Sequence, residues 1–147
     1  MAIITVTGEI DAGDLGVTIG HEHVFADTSG DYREPPASIK AFMRENDISL
    51  ENGVTLRNYG LLMREPQWSI DNQILSDYDD ALEELAYLKR AGYKSILDPT
   101  PIGLGRNPAA LHDLSRALDM YIVTGTGYYR EAFHPPETAT MTVDDIE

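Results

Sequence analysis

Cysteine is absent from this 147-residue chain, which excludes a disulfide framework and any thiolate metal site. That absence fits a cytosolic protein. Basic residues are scarce: 11 Lys and Arg stand against 25 Asp and Glu, a formal net charge of −14. A surface so acidic repels polyanions, so nucleic acid and anionic membranes are excluded as partners. No stretch approaches the ~18 consecutive apolar residues of a membrane-spanning helix. The opening MAIITVTGEI has neither a charged n-region nor a long apolar run, so no signal peptide is expected. Internal repeats and low-complexity tracts are also missing. What remains is ordinary for a globular protein. Hydrophobic residues make up 42% and charged residues 24%, enough apolar surface to build a core. The length fits one domain.

The most informative stretch is Gly16-Val17-Thr18-Ile19-Gly20-His21-Glu22-His23. It reads as an apolar strand, Val17–His23, ending in two histidines one residue apart. Side chains alternate along a strand, so His21 and His23 share a face and Glu22 points away. Their Cα atoms would lie about 7 Å apart. Zinc–nitrogen bonds are about 2.0–2.1 Å long, so two imidazoles at that spacing can lean onto one ion. The spacing also admits two hydrogen-bonded histidines at a strand end.

Around that stretch the chain alternates strands and helices. Residues 3–10 and the turn cluster Asp11-Ala12-Gly13-Asp14 suggest a small antiparallel hairpin over residues 1–15. Residues 26–70 form a long, poorly patterned connection, broken by Pro35-Pro36 and Asn52-Gly53. Short helices are expected there at Ser38–Asn46 and Thr55–Met63. From Asp71, Ile74, Tyr78, Ala81, Leu82, Leu85 and Leu88 recur at helical spacing. Acidic residues fill the other face, Lys89-Arg90 close the helix, and Gly92 ends it. A strand Tyr93–Asp98 follows. Then comes a tight Gly103-Leu104-Gly105-Arg106 loop and a helix capped by Asn107 with Pro108 at its first position. A third strand, Tyr121–Gly125, leads to His134-Pro135-Pro136. Thr142 with Asp144 and Asp145 looks like another helix start.

Strands alternating with helices predict a parallel sheet with right-handed crossovers. Gly103-Leu104-Gly105 is too short a match to a dinucleotide fingerprint. His21, His23, Asp98, Thr100, Thr124 and Thr126 all fall at or just beyond strand C-termini. In a (β/α)8 barrel that is the active-site face.

Three blocks carry a resemblance. They are Gly16–His23, then Leu97-Asp98-Pro99-Thr100-Pro101-Ile102-Gly103-Leu104-Gly105-Arg106-Asn107-Pro108, then Ile122–Tyr129 with His134-Pro135-Pro136. In order and spacing they resemble the phosphotriesterase family of metal-dependent amidohydrolases, and within it the phosphotriesterase-related members. The resemblance runs from about residue 8 to the end. It implies an α/β fold, a (β/α)8 TIM barrel of which residues 1–147 supply the N-terminal part, about the first three βα units. It implies a hydrolase with two divalent metals, usually zinc, that activate a bridging water toward an ester, lactone, amide or phosphotriester. His21 and His23 match the first-strand metal ligands. The family's other ligands, a bridging lysine or glutamate, two histidines and an aspartate, come from later strands, as does its general base. Catalytic residues are therefore not expected within this chain. A small-molecule substrate and a homodimer of the complete protein are also implied.

Tyr129 matches a tyrosine bordering the pocket in lactonase-like members, or is a packed aromatic. Arg106 is a candidate for substrate contact, or for pairing with a carboxylate to fix its loop. Asp98 is a candidate acceptor for orienting a metal-bound histidine, or a strand-end aspartate bonding local backbone. A barrel needs roughly 250 residues. The alternative reading is an inactive fragment, a half-barrel that needs a complementing chain.

Overall fold

Ala2–Thr5 (β1) and Gly8–Asp11 (β2) pair antiparallel, with Ile3 opposite Ile10. The computed structural model describes residues 1–51 and 53–145. The hairpin turns at Val6-Thr7, where the Thr5 hydroxyl donates to the Gly8 carbonyl (2.7 Å). The Asp11–Asp14 cluster expected as a turn instead winds into a 3₁₀ turn, Ala12–Asp14.

Three elements that follow make the central sheet: Thr18–Ile19 (β3), Ser95–Asp98 (β6) and Tyr121–Thr124 (β7). They run parallel in the order β3-β6-β7. Between β3 and β6 lie Ala26–Asp27 (β4), helices Ala37–Glu45 (α1) and Tyr59–Leu62 (α2), Ile74–Leu75 (β5) and helix Tyr78–Arg90 (α3). Helix Pro108–Leu118 (α4) connects β6 to β7.

Ile96 of β6 and Ile122 of β7 are wholly buried. They pack with Leu85 of α3, Leu111 and Leu114 of α4, and Val24, Phe25 and Met120. Burying each such side chain contributes about 1.5–3 kcal/mol. Alternation turns Leu97 and Val123 to the opposite face, where Leu97 is 39% exposed. The hairpin joins this layer through the Val6 amide, which donates to the Ile122 carbonyl (2.9 Å).

Helix α3 starts later than its periodicity suggests. Asp77 is its cap, accepting from the amides of Asp79 (2.8 Å) and Asp80 (3.0 Å). Ile74 therefore falls outside the helix, in β5. At the other end Gly92 (φ 95°) adopts the left-handed conformation. Its amide reaches the Lys89 carbonyl and the Tyr93 amide reaches that of Leu88, a complete Schellman closure. Asn107 caps α4 by accepting from the Ala110 amide (3.1 Å), with Pro108 at the first position, as its sequence predicts. Asp119 then takes φ 50° without being glycine.

The chain divides into two compact units, Asp27–Leu75 and the remainder. The first is better ordered than its sequence pattern suggests. Asn58 is fully buried there, accepting from the Thr55 amide and donating to the carbonyls of Ser49 and Gly53. Asn52 of the expected Asn52-Gly53 turn lies outside the described residues. Asp27 has its carboxyl held below the usual range by hydrogen bonds from Ser29, first its hydroxyl and then its amide.

Near the C-terminus Val143–Asp145 forms a 3₁₀ turn, with both the amide and hydroxyl of Thr142 donating to Asp145 (2.7 Å each). Any continuation into a helix lies outside the described residues. Among them, no helix is long and apolar enough to cross a membrane.

The end of α4 yields a stability prediction. Asp119→Gly removes a left-handed non-glycine residue while the Lys89 ammonium keeps its bond to the residue-119 carbonyl. The exposed Lys89–Asp119 ion pair that is lost is worth little. Urea unfolding should show a gain of up to about 1 kcal/mol; a loss would contradict the strain.

Candidate metal-binding site

A parallel sheet places every strand's C-terminal end on one side. Here that side carries three loops: residues 20–25 after β3, 99–107 after β6 and 125–134 after β7. The strand expected at Val17–His23 is shorter than its alternation suggests, only Thr18–Ile19. β3 has one neighbour within the sheet, and beyond Ile19 the backbone bends. It stays attached to β6 by the Glu22 amide, which donates to the Leu97 carbonyl (3.0 Å).

The bend does not separate the histidines. The rings of His21 and His23 lie edge to face, with centroids 5.2 Å apart and planes at 76°. His21 is exposed and His23 half-buried. The Nδ1 of His23 stands 2.8 Å from the Thr100 hydroxyl. Two imidazoles so placed are nitrogen donors of the kind that zinc accepts. They amount to two ligands: no group of three or more His, Asp or Glu side chains able to hold a metal occurs among the described residues.

Asp98 ends β6 and is 1% exposed. Its carboxyl oxygens accept from the amides of Thr100 (2.8 Å) and Val24 (3.3 Å). It therefore bonds backbone and does not bond either histidine; the side chain that reaches His23 is Thr100. The sequence contains Thr100 within the strand-end motif, but nothing in a spacing of 77 residues signals its contact with His23.

Arg106 has Thr124 as its partner, Nε to Oγ1 at 3.4 Å, at the end of β7. The carboxylate expected to fix its loop is not what it bonds. The loops themselves interlock. Ile102 bridges to Tyr128, and the Ile102 amide donates to the Gly127 carbonyl (3.3 Å). Gly103 (φ 96°) lies so close to Phe133 that a Cβ would stand 1.9 Å from its carbonyl oxygen.

Tyr129 is half exposed and rests edge-on against Phe133, with ring centroids 5.6 Å apart at 63°. His134 lies with its ring against Tyr128 and bonds the Tyr129 carbonyl through Nε2 (2.7 Å). His112 is paired with its neighbour Asp113 on α4. Of the four histidines, then, His21 and His23 are the two that the fold brings ring to ring.

The loop packing can be tested by substitution. Gly103→Ala should destabilise the protein by about 3 kcal/mol, from steric clash added to backbone strain. Gly92→Ala is the comparison, because φ is 95° there and a Cβ meets nothing within 4 Å. It should cost only about 1 kcal/mol. Equal losses in urea unfolding would refute the clash.

The phosphotriesterase family profile matches residues 1–147. A phosphotriesterase-related protein of Aedes aegypti is 31% identical over 148 residues, covering 98% of this chain and 40% of that protein. An N-acetyltaurine hydrolase of Danio rerio is 30% identical over 143 residues, covering 97% of this chain and 39% of that protein. The crystal structure of a resiniferatoxin-binding protein from Rhodobacter sphaeroides superposes with a TM-score of 0.89 at 30% identity. It covers 99% of this chain, which spans 39% of it. The chain thus spans about 40% of the length of the curated relatives it matches. By its match over residues 1–147 and its parallel β3-β6-β7 sheet, this chain belongs to the phosphotriesterase family, of whose (β/α)8 barrel it supplies about the first three βα units.

Proposed function

We propose that this chain carries the first-strand metal ligands of a metal-dependent hydrolase, with His21 and His23 holding one of two divalent ions, zinc by preference. The observation that carries the reading is the ring-to-ring pairing of His21 and His23 at the C-terminal end of the sheet. When bound, the metal would polarise the scissile bond and lower the pKa of water toward about 7. On this reading the remaining ligands and the general base belong to later strands of the family's barrel; among the described residues no group of three or more metal-binding side chains occurs.

The chain's own residues do the positioning. His21 and His23 supply imidazole nitrogens, Asp98 anchors the backbone beside them, and Arg106 braces the end of β7. Tyr129, half exposed on its loop, is offered as part of the pocket wall. Similarity to phosphotriesterase-related proteins and to an N-acetyltaurine hydrolase favours a carboxylic amide, ester or lactone over a phosphotriester as substrate. The substrate is a small molecule.

In the full-length protein, His21→Ala/His23→Ala should lose bound zinc, measured by elemental analysis. It should lose turnover of a lactone, ester or amide panel by more than about 100-fold. Retention of both would sink the reading. Residues 1–147 expressed alone should show no turnover even with excess zinc.

A further inference from the structure

His23 meets the buried part of the protein through Nδ1, 2.8 Å from the Thr100 hydroxyl. That hydroxyl has one hydrogen to give. It also stands 3.2 Å from the carbonyl oxygen of Phe25, a group that can only accept. Thr100 is 1% and Phe25 5% exposed, so the carbonyl is screened from water and needs a donor. With the hydroxyl hydrogen turned to Phe25, only an oxygen lone pair faces His23. The ring hydrogen must then sit on Nδ1, and a neutral imidazole in that state carries its free lone pair on Nε2.

We infer that Thr100 is a positioning residue that holds His23 as its Nδ1–H tautomer, leaving Nε2 as the ring atom able to take a cation. The inference rests on the reading of His23 as a metal ligand. Thr100 is itself fixed from below. Its amide donates to one oxygen of Asp98, whose other oxygen takes the amide of Val24, the residue after His23. Asp98 thus locates both the threonine and the backbone that carries the histidine. His134 provides a contrast within the chain, because it faces the Tyr129 carbonyl through Nε2 and must carry its hydrogen there.

The test uses the full-length protein labelled with ¹⁵N-histidine, freed of metal at pH 8. Long-range ¹H–¹⁵N spectra should show His23 as Nδ1–H and His134 as Nε2–H, each assigned by its loss in a His→Asn variant. Thr100→Val should remove the His23 preference and weaken zinc binding, measured by chelator competition, by about 10–100-fold. Thr100→Ser should restore both. A wild-type His23 with its hydrogen on Nε2 would overturn the proposal. So would a Thr100→Val protein with unchanged tautomer and zinc affinity. The wild-type spectrum does not depend on the Thr100 variants, so poor folding of Thr100→Val leaves the proposal exposed to refutation. Should the wild-type protein take up no zinc, the metal reading fails, while the spectra still decide the role of Thr100.

Discussion

The carboxyl group of Asp98 holds together two pieces of backbone that the sequence places far apart. It accepts from the amide of Thr100 two residues ahead and from that of Val24, 74 residues behind. A carboxyl group at 1% exposure is costly to bury, and these two amides are what offset the cost. Among the described residues Asp98 has no ion pair, so its role is to position backbone. Because Val24 follows His23 directly, the same contact sets where that histidine lies. Because Thr100 reaches Nδ1 of His23, the contact also sets how the ring is approached.

The neighbouring loops follow a similar logic. Past the ends of β6 and β7 the chains continue side by side through the Ile102–Tyr128 bridge. Gly103 lets one loop lie directly against the Phe133 carbonyl of the other. Arg106 ties the first loop to Thr124 at the end of β7. Below them, Ile96 and Ile122 are packed under α3 and α4 into a close-fitting core. Side chains of a site keep their geometry when they stand on such a support. The other face of the sheet, which carries Leu97, is less covered within this chain. A barrel fills that face with inward side chains from strands beyond these three.

Local chemistry was legible where it acts locally. The Asn107-Pro108 start and the Gly92 stop follow from backbone groups that must find partners within a few residues, and both appear as expected. The α3 start was less legible, because Ile74 continues the apolar spacing across a boundary that the Asp77 cap sets. The extent of β3 was not legible at all. Alternation through His23 suggests a longer strand, but a strand with one partner bends where a single backbone bond holds it. Residues 27–75 lack a strong period. Within them a buried asparagine gathers three backbone groups of residues 49–55, a contact no pattern announces.

By itself the sequence determined the capped start of α4, the glycine stop of α3, the parallel strand–helix alternation, the acidic surface and the presence of two histidines one residue apart. Each of these depends on neighbours in the chain or on composition, which can be read directly. The blocks around those histidines also carried the family resemblance. Only the tertiary structure decided that the two rings meet across a backbone bend, that Asp98 bonds amides and no histidine, and that Thr100 is the residue touching His23. The Asp98–Val24 and Thr100–His23 contacts join residues 74 and 77 positions apart, and such pairings exist only once the parallel sheet has brought the strand ends to one side.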